Sequence, residues 1–161
     1  MTKIIVTVLA ILLTVFPNSG FLLANYQNLT FPGDDVITDT IIEAIKKDDA
    51  DTIEAMLSQH TKEHGENLNQ KIKELIDAID GEIIEYRDHG SGGDGDYSNN
   101  GVSVKDKSWK ILIKTESKQE YLVCVSWVVV NTINSEKVGM KTLRLIDTDF
   151  NQIVTIYTPV D

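Results

Sequence analysis

The hydrophobic pattern changes character twice along the chain. From Ile4 to Phe16 it is unbroken apart from Thr7 and Thr14. Beyond residue 34 it becomes helical. Ile37, Ile41, Ala44 and Ile45 recur at i, i+4, i+7 and i+8, one stripe of a helix that Asp34 or Asp35 can cap. Asp49 can cap a second helix, with Ile53, Met56 and Leu57 on one face and Gly65 as its stop. Asn67 can cap a third, with Leu68, Ile72, Leu75, Ile76 and Ile79 inward and Gly81 ending it. From Glu82 the period is strand-like. Segments 82–88, 101–104, 108–117, 120–132, 138–147 and 152–158 are dense in Val, Ile, Tyr and Thr and are separated by polar breaks. Tyr121 to Val130 is apolar on both faces apart from Ser126, as a covered central strand would be. Helices followed by strands predict an α+β domain, three N-terminal helices packed on a curved antiparallel sheet.

The first apolar run has a different meaning. Lys3 precedes it, and it is the one charge in residues 1–33. A basic start and a short apolar run describe a secretory signal peptide. At about 1.5 Å per residue the run cannot span a hydrocarbon core of about 30 Å. Pro17, Asn18, Ser19 and Gly20 then break it, and Ala24 is the expected residue before cleavage. The expected organisation is a signal peptide at 1–24, a linker at 25–34 and one α+β domain at 35–161. The expected location is secreted or extracytoplasmic, in the cell envelope.

Composition narrows the partners. The chain of 161 residues carries a net charge of −10. Nucleic acid and anionic membrane surfaces are therefore not expected partners, since both need clustered cations. The single cysteine, Cys124, rules out an internal disulfide. It lies in a strand-forming run and reads as a small buried hydrophobe.

Asp80-Gly81-Glu82-Ile83, the glycine-rich Gly90-Ser91-Gly92-Gly93, and Val138-Gly139-Met140 leading to Leu143-Arg144-Leu145 resemble segments of a bacterial family of exported proteins and lipoproteins of unknown function, a DUF family. The resemblance covers about residues 35–158. It implies the nuclear transport factor 2-like, or cystatin-like, fold, a conical sheet around a pocket. Such folds serve catalysis in some members and ligand or protein binding in many, so the fold alone assigns no activity. Leu22-Leu23-Ala24 matches the start of a lipobox, but Asn25 stands where the lipid-bearing cysteine belongs, so lipidation there is not possible.

Several motifs invite chemistry and lack its context. His60-Thr61-Lys62-Glu63-His64 matches H-x-x-E-H, but it sits at a helix exit with no third ligand indicated. Gly90 to Gly95 matches G-x-G-x-x-G, yet aspartates follow and then a strand, where phosphate binding needs a helix N-terminus. It reads as a flexible connection between strands. Asp96 to Gly101 resembles the start of a calcium loop, with Lys107 in place of the bidentate glutamate. Asp94 and Asp96 are weak calcium candidates, and neither a metal nor another cofactor is expected. His89 has no evident partner.

The remaining candidates for a ligand pocket are Arg144, Trp127, Tyr86, Trp109 and Tyr157, all on strand-forming segments. Arg144 lies between Leu143 and Leu145, where a half-buried guanidinium needs an anion or a carboxylate. The expected function is a non-enzymatic exported binding domain, holding a small molecule or a protein through the cone pocket or the sheet face. A homodimer through that face is a further expectation. The alternative is an enzyme of the ketosteroid-isomerase or dehydratase kind, with a base among Glu82, Glu85, Glu116 and Asp147 and a donor in Tyr86 or Tyr157.

Overall fold

The computed structural model describes residues 31–157. The signal-peptide segment 1–24 and the linker up to residue 30 lie outside the described residues. Among the described residues four α-helices come first: α1 (Asp34–Lys46), α2 (Ala50–Met56), α3 (Gln59–His64) and α4 (Leu68–Asp77). Five strands follow: β1 (Ile83–Asn99), β2 (Val102–Thr115), β3 (Glu120–Asn131), β4 (Gly139–Asp147) and β5 (Gln152–Ile156). They form one sheet in the order β1-β2-β3-β4-β5, every neighbouring pair antiparallel. The domain is α+β, and among the described residues no helix is long and apolar enough to cross a membrane.

Two features differ from the expectation and share a cause. The second of the three expected helices is two, because Leu57 takes an extended conformation (φ −62°, ψ 140°). There it forms a parallel bridge to Met140, and the Ser58 N–H donates to the Met140 carbonyl at 2.9 Å. Ser58 then caps α3, its Oγ accepting from the Thr61 N–H at 3.1 Å. Likewise, 101–104 and 108–117 are one strand, and Gly90 to Gly95 belongs to β1 and is not a flexible loop. A two-residue turn at Asn100 (φ 47°) and Gly101 (φ 81°) starts this ladder. Its left-handed geometry matches the twist of the hairpin it closes. In both places a backbone ladder overrides what the local side chains favour.

Strand alternation gives the sheet two unlike faces. Trp109, Ile111 and Ile113 of β2, Tyr121, Val123, Val125 and Trp127 of β3, Leu143 and Leu145 of β4 and Ile156 of β5 join Ile37, Ile41, Ile53, Ile72 and Leu75 in one core. The space between helices and sheet is thus filled by apolar side chains, several of them fully buried. Trp109 also anchors α1, its Nε1–H donating to Thr38 Oγ1 at 3.0 Å. Among the described residues no helix covers the central rows of the other face. Leu122 and Cys124 of β3 are buried there yet stand outside the core cluster.

Candidate functional site

The open face is organised by register. Lys110, Cys124 and Arg144 are direct cross-strand partners on β2, β3 and β4. In the adjoining row Ser108, Ser126 and Thr142 are partners. Opposite residues of an antiparallel pair lie about 4.5–5.5 Å apart at Cβ. Four short side chains therefore form a floor, and long cationic ones rise beside it. A β-bulge between Ser126 and Trp127 pairs Ser126 with Thr142 and Trp127 with Met140. Lys141 is the extra residue, and the bulge turns it onto the open face.

The result is a groove of about 380 Å³ lined by Gly92, Ser108, Lys110, Cys124, Ser126, Lys141, Thr142 and Arg144, among others. Gly92 suits its place, since a Cβ there would come within 2.7 Å of Ser108 Oγ. The Ser108 hydroxyl is engaged with the Gly93 carbonyl at 3.0 Å. Burial pushes the Cys124 thiol up from its ordinary value, and the Arg144 and Lys110 charges oppose that rise. A second groove of about 270 Å³ adjoins the first. It shares Ser126 and Lys141 with it and adds Ser58, His60, Thr61, Asp106, Lys137 and Tyr157.

The five expected pocket residues do not meet in one place. Arg144 is exposed on the open face. Tyr157 follows β5 and lines the second groove. Trp127 is buried on the helix side, edge-on to Phe31. Trp109 is buried beside α1 and lines both the groove of Arg144 and the cleft of Tyr86, and Tyr86 packs against the same core. Tyr86 lies in a cleft of about 410 Å³ with Asp34, Asp35, Asp39, Arg87, Asp88 and Trp109. Its hydroxyl donates to Asp39 Oδ1 at 2.9 Å, and that bond, with a smaller effect of burial, raises its pKa. Among the expected bases, Asp147 is occupied by Asn151, accepting from its N–H at 2.8 Å and its Nδ2 at 2.9 Å. Glu82, Glu85 and Glu116 are exposed.

Asp94 and Asp96 lie within β1, opposite Lys107 and Lys105. Asp96 to Gly101 is thus strand and turn rather than an open loop. The imidazoles of His60 and His64 stack at 4.2 Å, His64 Nδ1 lies 2.9 Å from the His60 carbonyl, and Glu63 accepts from Gln59 at 2.7 Å. Among the described residues no three His, Cys, Asp or Glu side chains gather where a metal ion would fit. Of the groove, the sequence reading singled out Arg144 and Cys124 and passed over Lys110, Lys141 and the hydroxyl row. Their spacing in sequence carries no signal, because only the register of three strands brings them together.

Comparison with curated proteins gives no match. A family described as a domain of unknown function, DUF5104, matches residues 40–148, from the middle of α1 to just past β4. The chain therefore belongs to that family of domains of unknown function.

Proposed function

We propose that this chain is an exported, non-enzymatic binding domain whose ligand site is the open face of its sheet. The signal-peptide pattern before residue 25 supports export, and Asn25 supports release rather than lipid anchoring. Helices packed against a curved antiparallel sheet agree with the nuclear transport factor 2-like reading. The interior of such a cone is here occupied by the core, so the sheet face is the better place for a ligand. The observation that carries the proposal is the row Ser108, Ser126 and Thr142. Three small polar residues occupy the middle of a face that no helix of the described residues covers, where a sheet awaiting another apolar layer would carry large apolar ones.

The test is native mass spectrometry of the purified full-length chain for co-purifying small molecules, beside the Ser126→Trp variant. That indole fills the groove from a half-buried position. The expected result is a bound molecule that the variant loses while its melting temperature is kept. A molecule retained by the variant, or none at all in the unaltered chain, overturns the proposal.

A second reading rests on the Tyr86–Asp39 hydrogen bond. A tyrosine and a carboxylate in one cleft are the elements of a ketosteroid-isomerase-like or dehydratase-like site. Asp39 is exposed and holds the phenol as its donor, so the pair lacks the desolvation that tunes such a base. Turnover of a proton-transfer substrate that is lost in Tyr86→Phe would favour this reading over binding alone.

A further inference from the structure

We infer that the open-face groove is an oxyanion site, built for a small, multiply charged carboxylate or phosphate. This inference rests on the reading of the face as a ligand site and adds the chemistry of the ligand. Lys110, Lys141 and Arg144 converge on one groove in a chain whose net charge is −10. Carboxylates are plentiful, and elsewhere they pair with cations, as in Lys107–Asp34 at 3.0 Å and Lys47–Glu43 at 3.2 Å. Among the described residues none forms an ion pair with Lys110, Lys141 or Arg144. Three like charges gathered without a counter-charge repel one another, and a bound anion removes that repulsion.

The usual reason for lysines on a sheet does not apply. Cations placed to discourage edge-to-edge pairing belong on edge strands, whereas Lys110 lies on β2 between β1 and β3, and Arg144 pairs with Cys124 on one side and Thr155 on the other. Geometry also favours an anion of some size. Lys110 and Arg144 flank Cys124 from either side, so their Cβ atoms are about 10 Å apart. One small thiol between two long cations leaves a depression, not a ridge. The side chains of Ser126 and Thr142 bond to no other described residue and supply hydroxyl donors at its base. Arg144 adds a planar fork that matches carboxylate or phosphate in bidentate fashion.

The test is isothermal titration of the purified full-length chain at low salt with citrate, with inorganic phosphate and with acetate. We expect citrate or phosphate to bind and acetate, with its single charge, to bind far more weakly. Lys110→Gln and Arg144→Gln should each weaken the tighter anion about tenfold or more. Arg144→Lys should restore part of the loss, and Lys47→Gln, just past the end of α1, should change nothing. Preference for citrate assigns the site to carboxylates, and preference for phosphate to phosphoryl groups. No heat with either anion at about 10 mM, or binding indifferent to both glutamine variants, overturns the inference. Should a glutamine variant unfold, the unaltered chain still decides: binding that ignores added salt excludes a site made of these charges. A neutral molecule lost on Ser126→Trp would leave the face a ligand site and sink its anionic character. A molecule that Ser126→Trp does not displace would sink the face reading itself.

Discussion

Cys124 shows how one residue's size and surroundings set its chemistry. It is buried on the open face between Lys110 and Arg144. Burial raises its pKa by disfavouring the thiolate, and the two cations act against this. Alkylation requires the thiolate. Its rate with iodoacetamide should therefore rise with pH through a midpoint above that of an ordinary thiol. Arg144→Gln removes an opposing charge and should move that midpoint higher; a midpoint at or below the ordinary value contradicts the assignment of burial as the dominant cause. Asp49 gives a pH test of the opposite sign. It caps α2, accepting from Thr52 Oγ1 at 2.6 Å and from the Thr52 N–H at 3.0 Å. The hydroxyl bond, then the backbone bond, lowers its pKa below the ordinary 3.8. A lowered carboxylate stabilises the fold above its unfolded pKa and loses that contribution as pH falls through the folded value. Asp49→Asn keeps a cap but not the titration, so its urea midpoint should fall less than that of the unaltered chain between pH 5 and pH 3, by the equivalent of about 1 kcal/mol or less.

At the scale of elements, local pattern predicted what local forces decide. The stripes Ile37, Ile41, Ala44, Ile45 and Leu68, Ile72, Leu75 are the buried faces of α1 and α4. Apolar Tyr121 to Val130 is the central strand β3. Elements held by long-range pairing were not legible. Nothing near Leu57 announces that its backbone will pair with Met140, and nothing near Lys105-Asp106-Lys107 shows that β2 continues through them. For the same reason the groove was half-read: Arg144 stands out as a charge among leucines, while Ser108, Ser126 and Thr142 gain meaning only from the register. Gly139 is where the α2–α3 joint meets the sheet. Its φ is 123°, and a Cβ there would lie 3.1 Å from Ser58 Cα, 3.2 Å from Ser58 N and 3.4 Å from the Met56 carbonyl. These neighbours are backbone atoms and cannot swing aside. Gly139→Ala should therefore cost about 2–3 kcal/mol, read as a lower urea midpoint. Gly90→Ala shares a positive φ (96°) but has open space around it, so it should cost less.

Across the whole molecule, stability is concentrated at one end of the long β1–β2 hairpin. The core rests on Trp109, Ile111 and Ile113 of β2, at the half of the strand paired with residues 86–91. Towards the turn, residues 92–103 contribute nothing to that cluster, and Tyr97 is 56% exposed. The ladder is the more regular towards the turn, since its register shifts all fall between Ile83 and Gly93, so secondary structure alone predicts that the outer half is at least as well protected from exchange. Packing predicts otherwise, because an outer segment with little buried apolar surface opens without unfolding the rest. Amides of 95–103 should therefore exchange through local opening, at rates nearly independent of low urea. Those of 111–115 and 121–125 should exchange only with global unfolding and follow the full urea dependence. The groove lies at the boundary, since Gly92 and Ser108, whose hydroxyl bonds to Gly93, belong to the outer half while Cys124 and Val125 belong to the core strand. A bound anion bridging the boundary would slow exchange at 92, 93 and 108 more than at the turn. Equal slowing along the whole hairpin would place the ligand elsewhere.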